Sequence, residues 1–483
     1  MKTYRLFGLL KRLILIALTT GFAQLTVSPL LAWERTYGGP GTDYGRYVCQ
    51  TRDQGFLITG YTDSYGAGSY DVYLIKTNSR GDTLWTKTYG GRYWDCAYGA
   101  VQAPDGGYYV PVWTASFGPG TPSYPNPYLI RTNAQGDTLW TRFYGGLRGD
   151  GFFYGIETRD GNYVFTGYTA SFGAGAEDVY LVKINPQGDT LWTRTFGGYA
   201  SDMGYSVQQT RDGGFIIAAQ TISFGAGSCD AYLIKTDPQG NAQWCRTYGG
   251  QMNDYAISVQ QTSDDGYIFG GYTASFGNGA HDFFLVRTDS LGDTLWTRTY
   301  GGGLEDWGAS VQQTRDGCFL FLGWTASFGL GGEDMYLVKA DAQGDTLWTK
   351  TYGGTNHDRG YSIHPVVEGT SCRGYVLAGY TLSFGRGYND VFLIGIDESG
   401  ASGIENATGQ RMVWSGLRVR PNPFCSQARI PDHEKEWFQI YDVTGKKIAT
   451  QRGDQIGAGL PAGIFFLQSL TKDSPPLRVV KLR

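Results

Sequence analysis

From residue 33 onward the apolar and polar positions fall into short runs divided by glycine-rich turns. One stretch shows the pattern cleanly: LWTRTF, YSVQQT, GFIIAAQT and AYLIKT, punctuated by GG, RDGG, SFGAG and DPQG. Runs this short, rich in β-branched and aromatic residues and bounded by Gly, Asp and Pro, predict antiparallel strands and tight hairpins. Their character predicts an order. The polar run, with Gln50, Gln102, Gln209, Gln261 and Gln313 in register, suits the wall of a wet channel. Runs such as FIIA and VYLI are apolar on both faces and belong between layers. The Trp run is mixed and belongs outermost, where the cation two residues after each Trp (Arg35, Lys87, Arg142, Arg194, Arg246, Arg298, Lys350) would discourage pairing between sheet edges.

The pattern repeats. GDTLWTKTYGG begins at Gly81 and Gly344, GDTLWTRFYGG at Gly136, GDTLWTRTFGG at Gly188 and GDTLWTRTYGG at Gly292. Trp33, Trp85, Trp140, Trp192, Trp244, Trp296 and Trp348 are separated by 52, 55, 52, 52, 52 and 52 residues, so one unit is copied seven times. Four strands in about 50 residues, seven times over, predict an all-β, seven-bladed β-propeller. The chain starts on an outermost strand at Trp33 and ends, after VFLIGID at 391–397, one strand short of a blade. The N-terminal strand is therefore expected to complete the last blade and close the ring. One blade cannot bury two apolar faces alone, whereas seven can bury one another.

Composition agrees: 15% aromatic residues, 73 Gly in 483 residues and only 17% charged residues suit strands and turns. Residues 33–400 carry 24 Lys+Arg against 37 Asp+Glu, a net of −13, and residues 417–483 carry 11 against 6, a net of +5. An acidic body is a poor partner for nucleic acid or anionic lipid, and no nucleic-acid partner is expected. The cysteines (Cys49, Cys96, Cys229, Cys245, Cys318, Cys372, Cys425) are odd in number and fall out of register, so they read as mostly isolated buried thiols rather than a disulfide framework. At the N-terminus, Lys2, Arg5, Lys11 and Arg12 flank the apolar run LILIAL, with Gly21 and Ala23 beyond. Residues 1–32 read as a secretory signal peptide cleaved after Ala23 or Ala32, an uncleaved anchor being the alternative. No later stretch reaches 18 apolar residues, so no transmembrane segment is expected in the mature chain, which is expected to be a monomer.

Repetition separates scaffold from site. Asp43, Asp95, Asp150, Asp202, Asp254, Asp306 and Asp358 stand ten residues after each Trp, and a second series runs Asp71, Asn126, Asp178, Asp230, Asp282, Asp334 and Asp390. A residue that every blade requires is expected to cap backbone amides in its own loop. The competing reading is a ring of carboxylates around Ca²⁺ or another cation; no other cofactor is expected. Both series fall in connections that emerge on one face of the ring, and a ligand site is expected there, where blades disagree. The triplets before the first Asp read PGT, RYW, LRG, YAS, QMN, GLE and TNH, and one blade alone inserts TPSYPNP at 121–127. Trp94, Tyr124, Arg148, Trp307 and His357 are the candidate contacts, because aromatic rings stack on sugars and peptides.

Sequence signs of catalysis are sparse. The four histidines (His281, His357, His364, His433) are scattered, and HExxH, GxSxG, a phosphate loop and paired CxxC motifs are absent. GAG after Phe recurs as a hairpin loop with no helix following. TRDQG at 51–55, TRDGG at 210–214 and TSDDG at 262–266 are similar to the Asp-box turn of sialidases, with Ile58, Ile217 and Phe269 at the aromatic position. That motif is itself a structural turn and implies no catalysis.

The run GYTASFGAGxxDxYLVKxDxxGDTLWTRTYGG resembles the bacterial β-propeller repeat family of secreted and surface proteins, across residues 33–400. It is also something like kelch, where the Gly pair follows the second strand rather than the Trp strand. Residues 401–416 read as a linker. In the tail, PNPF at 421–424, IYDVTGKKI at 440–448, LPAGIFFLQ at 460–468 and VVKLR at 479–483 resemble the type A C-terminal sorting domain of the type IX (Por) secretion system. The matching residues include Pro421, Asn422, Pro423, Tyr441, Asp442, Gly445, Gly463, Lys481 and Arg483. The spacing from PNPF to FQIYD is shorter than the family pattern. Alternating strands and turns predict a small Ig-like β-sandwich for 417–483, and the resemblance implies export through the type IX machinery to the surface or medium of a Gram-negative-type bacterium. Three functions remain open at this point: a non-enzymatic binder of an extracellular glycan, peptide or protein, a polysaccharide hydrolase or lyase, and a structural surface protein.

Overall fold

A computed structural model describes residues 33–402, apart from 120, 121 and 123, together with segments between 437 and 481. The proposed signal peptide, most of the linker, and Pro421, Asn422, Pro423, Asp442, Gly445 and Arg483 lie outside the described residues. The chain divides into two units, 1–402 and 403–483.

The first unit is a seven-bladed propeller. Its N-terminal strand β1 (Trp33–Tyr37) is followed by blade 1, made of β2 (Asp43–Gln50), β3 (Phe56–Thr62), β4 (Asp71–Thr77) and β5 (Thr83–Tyr89), paired in that order and antiparallel. Blades 2 to 6 repeat this arrangement over residues 95–143, 150–196, 202–248, 254–300 and 306–352. Blade 7 supplies three strands, Asp358–Glu368, Ser371–Thr381 and Asp390–Ile396, and β1 is its fourth. The register runs from Trp33 opposite Gly395 to Tyr37 opposite Val391, so the predicted closure is present.

The apolar middle strands are where the propeller is held together. Every residue of β3 and β4 is buried, and the clusters they form cross from one blade to the next. One joins Ile216, Ala218 and Leu233 of blade 4 to Tyr267, Phe269 and Phe284 of blade 5, and another joins Phe56, Ile58 and Tyr73 to Val376, Val391 and Tyr37 across the closure. Each fully buried side chain of this size contributes about 1.5–3 kcal/mol. Buried cations of the third strand meet the turn between strands one and two: Lys76, Lys183 and Lys235 reach Asp53, Asp160 and Asp212 at 2.9, 2.6 and 2.8 Å. The Asp-box-like turn is thus an anchor for a buried charge.

The eleven-residue motif works between blades. Gly81 has φ +76° and lies against Trp33, and Gly240 and Gly292 lie in the same way against Trp192 and Trp244 of the preceding blade. The Tyr37 hydroxyl donates to the Gly81 carbonyl at 2.5 Å, and Tyr248 and Tyr300 donate to Gly292 and Gly344 at 2.7 Å. Arg35, Lys87 and Arg142 pair with Asp82, Asp137 and Asp189 of the following blade at 3.2, 2.8 and 2.6 Å. Rather than only guarding an exposed edge, these three outer cations reach across to the next blade, at the modest worth of half-exposed pairs.

The inner strand also carries more than a polar wall. Gln50, Gln102, Gln209, Gln261 and Gln313 are partly exposed, and each side-chain carbonyl accepts an amide of the neighbouring blade, from Val367, Arg52, Arg159, Arg211 and Ser263 at 2.8–3.0 Å. At the junction of blades 2 and 3 the pattern fails on both sides, since Pro104 has no amide to donate and Glu157 stands in the Gln position. Glu157 pairs with Arg52 instead, at 3.3 Å.

In the second unit the described strands Trp437–Tyr441, Lys447–Arg452, Gly463–Ser469 and Leu477–Lys481 form one antiparallel sheet, with the second of them at one edge and the last at the other. Tyr441, Gly463 and Lys481 lie on these strands. The six described cysteines are free, but only Cys49, Cys96 and Cys229 are buried, so the expectation of mostly buried thiols holds for half of them. The other three sit where their local strand or hairpin opens to solvent.

Closure by β1 has a measurable consequence. Tyr37→Ala should destabilise the protein by about 3–5 kcal/mol in urea unfolding, matching Tyr300→Ala at the same place in an interior blade. A much smaller loss at Tyr37 would mean that the first strand is not integral to the ring.

Candidate functional site at the channel mouth

The first Asp series begins the inner strand of every blade. All seven carboxylates are buried, and each accepts the amide of the glycine four residues earlier at 2.7–2.8 Å. In six blades a serine hydroxyl of the same blade donates as well, at 2.6–2.8 Å. The second series begins the third strand; Asp178 and Asp282, for example, accept two loop amides each at 2.8–3.1 Å. The Gly pair explains itself here, because a β-carbon at Gly197 would overlap the carboxylates of Asp178 and Asp202, and one at Gly198 would meet Ser223. These partners make both series caps of their own loops. Among the described residues no three His, Cys, Asp or Glu side chains are grouped to hold a metal ion.

The same end of the inner strand contains a recurring irregularity. Its register skips between Gly45 and Tyr47, Phe152 and Tyr154, Gly204 and Ser206, Ala256 and Ser258, Gly308 and Ser310, and Gly360 and Ser362. In blade 2 the strand is interrupted instead, between Ala97 and Val101. A bulge of this kind removes one residue from the ladder and re-aims its side chain. The residues so released are Arg46, Phe153, Tyr205, Ile257, Ala309 and Tyr361, with Tyr98 at the corresponding place in blade 2.

These side chains and their neighbours make an almost continuous ring of aromatics. Phe153 lies between Tyr98 and Tyr205, with 5.4 Å to each ring. Tyr44 packs on Tyr61 and Tyr380 at 4.7 and 4.8 Å. Farther round, Tyr255 stacks on Tyr272, Tyr272 on Trp307 at 3.9 Å, Trp307 on Trp324 at 5.5 Å, and the Arg359 guanidinium covers Trp324 at 4.1 Å. Arg359 is held by both oxygens of Glu333, one contact being 2.7 Å.

Of the five contacts predicted from sequence, two join this ring. Trp307 lies in the stack, its indole N–H donating to Glu305 at 2.7 Å. Trp94 is 52% exposed and touches Tyr70 and Trp113. His357 stands beside the ring, 3.2 Å from Glu333. Arg148 and Tyr124 lie in exposed loops, with an Arg148 amide bonded to Ser171 and a Tyr124 carbonyl bonded to Asn126; no ring contact joins either to the stack. The choice of the triplet before each Asp missed the bulge residues, which come three positions after it. A signal was present: aligned on that Asp, the position reads R, Y, F, Y, I, A and Y, variable and mostly large in an otherwise uniform strand.

Charges at the mouth are mostly neutralised in place. Burial would raise the Glu305 carboxyl, yet hydrogen bonds from Trp307 and His281 outweigh it and hold the group below its ordinary value. His281 lies 2.7 Å from it. On the inner strand of blade 7, burial pushes the His364 imidazole down to about 4.

No family model matches the chain, and no curated protein matches it. Solved structures with some similarity include the WD40 domain of Pan2 from Neurospora crassa, 9% identical over 75% of this chain and 91% of that one, with a TM-score of 0.44. Sqt1 from Chaetomium thermophilum is 9% identical over 80% and 91%, with a TM-score of 0.43. PorZ of Porphyromonas gingivalis, described as an essential bacterial surface component of the type-IX secretion system, is 13% identical over 92% of this chain and 60% of that one, with a TM-score of 0.43. Identities and scores of this order carry no argument about function, and the propeller is defined here by its own strand pairing.

Two outcomes follow from this geometry. Asp254→Ala, which strands the Gly250 amide and the Ser275 hydroxyl, should cost roughly 2–4 kcal/mol in urea unfolding, while a chelator should leave the wild-type midpoint unchanged. A midpoint that falls with chelator would restore the cation ring. His364 is depressed in the folded state, so between its ordinary pKa of 6.5 and about 4 the unfolded chain binds more protons and stability falls as pH falls. His364→Gln should remove a part of that decline on the order of 2 kcal/mol, read from midpoints at pH 7 and pH 4.5.

Proposed function

We propose that this chain is an exported, non-enzymatic binding protein whose propeller receives an extracellular glycan, peptide or protein at the aromatic channel mouth. The observation that carries this reading is the set of bulged residues from adjacent blades, which converges large rings on one opening of a scaffold that is otherwise uniform. Aromatic faces offer large contact area and stack on sugar or side-chain planes. A glycosidase would need two carboxylates facing one another about 5–10 Å apart. The mouth carboxylates Glu305 and Glu333 are instead engaged by His281 and Trp307, and by Arg359 and His357, which favours binding over hydrolysis.

Location at the cell surface or in the medium is supported by the charged and apolar leader before residue 33 and by the tail motifs PNPF, IYDVTGKKI and VVKLR. On this reading the type IX machinery is the tail's partner, and the propeller is the cargo that meets the ligand.

A glycan and peptide array probed with the mature protein tests the reading. Wild type should bind a defined set of ligands, and Phe153→Ala combined with Tyr205→Ala should weaken those signals at least tenfold. Unchanged binding in the double variant, or cleavage of the bound ligand, would overturn it.

A further inference from the structure

Arg46 differs from every other cation described so far. It is the only charged residue among the seven bulge positions, and it projects among four tyrosines from three blades. Its guanidinium carbon lies 4.1 Å from the Tyr361 ring centroid, 5.3 Å from Tyr61, 5.4 Å from Tyr44 and 5.6 Å from Tyr98. One Nη donates to the Tyr61 hydroxyl at 2.6 Å, and Nε is buried with no hydrogen-bond partner among the described residues. Burial pushes the Tyr98 hydroxyl up to about 12 and raises Tyr61 and Tyr44 as well, so these three neighbours are neutral phenols at physiological pH. Arg359, in blade 7 on the other side of the closure, shows the contrast: its two-point pair with Glu333 satisfies it.

An unpaired guanidinium with a buried, unused donor is costly, and cation–π contacts of about 0.5–2 kcal/mol offset only part of that. The missing partner is a planar anion that can take two parallel N–H donors, which is the geometry of a carboxylate. Arg46 is half-buried with its Nε closed off, so a carboxylate entering from the channel would meet the Nη edge of the guanidinium, where one Nη already donates to Tyr61 and the other has no protein partner among the described residues.

We infer that the mouth recognises an acidic saccharide, with Arg46 receiving the carboxylate of a uronic acid residue while the tyrosines around it meet the sugar ring and its hydroxyls. This rests on the binding reading above and specifies its ligand. A saccharide is favoured over a peptide terminus by the state of the inner strands. Their amides at Val48, Val311 and Ile363 already donate to serines of neighbouring blades, and those at Gln261, Gln313 and Val367 donate to glutamines. A peptide would find these backbone partners taken, whereas phenol hydroxyls both donate and accept, as vicinal sugar hydroxyls do.

The test uses the full mature chain and a tetrasaccharide of galacturonic acid, its methyl ester and a neutral galactose tetrasaccharide, followed by tyrosine and tryptophan fluorescence. Wild type should bind the acid at least tenfold more tightly than the ester or the neutral sugar. Arg46→Gln should erase that difference, and Arg46→Lys should keep part of it. Equal affinity of wild type for acid and ester would overturn the inference without any variant, as would absence of binding to all three. If ester and acid bind alike and Phe153→Ala weakens both, the binding reading stands and only the carboxylate assignment falls. A peptide free acid favoured over its amide, with the preference lost in Arg46→Gln, would overturn the saccharide choice.

Discussion

No blade of this propeller is complete by itself. Its outer tryptophan needs the glycine of the next blade's turn, in six of the seven a tyrosine hydroxyl also needs that glycine's carbonyl, and its two middle strands need apolar neighbours on both sides. Because each requirement is met by the following blade, the last must be met by the first. Tyr37, Trp33 and the Gly395 strand supply that meeting. The repeated eleven residues are therefore the clasp between neighbours, and their uniformity reflects one contact made around a ring.

Such a scaffold leaves few places where one blade can differ from another. Middle strands are fixed by packing, the Gly pair by two buried carboxylates, and the outer strand by the clasp. The bulge of the inner strand is free of these demands, since its residue leaves the ladder and packs with side chains of neighbouring blades around the channel. Diversity collects there: an arginine, three tyrosines, a phenylalanine, an isoleucine and an alanine occupy seven equivalent positions. A ring of unlike side chains on a uniform frame is a natural way to build one asymmetric recognition surface.

Much of this was legible in the sequence. Strand order, blade number, the outer place of the tryptophans and closure by the first strand followed from period and phase, which depend only on hydrophobic pattern. The capping role of the Asp series followed from its recurrence. What could not be read were contacts between residues about 50 positions apart. Arg35 reaching Asp82, and Gln102 accepting the Arg52 amide, depend on how blades are inclined to one another, and no local pattern records that. Of the candidate site, the sequence pointed to Trp94 and Trp307, which lie among the rings, and not to the bulge residues, because a bulge is a property of pairing between strands. In the sequence Arg46 is one polar residue in a polar run, and only the register skip between strands puts it among four rings.

Hydrogen exchange followed by mass spectrometry is the most direct test of the closed ring. If the blades complete one another as described, peptides covering Trp33–Tyr37 and Asp390–Ile396 will show protection equal to that of Thr294–Tyr300 in an interior blade. Rapid exchange confined to those two end strands, with the interior protected, would contradict it.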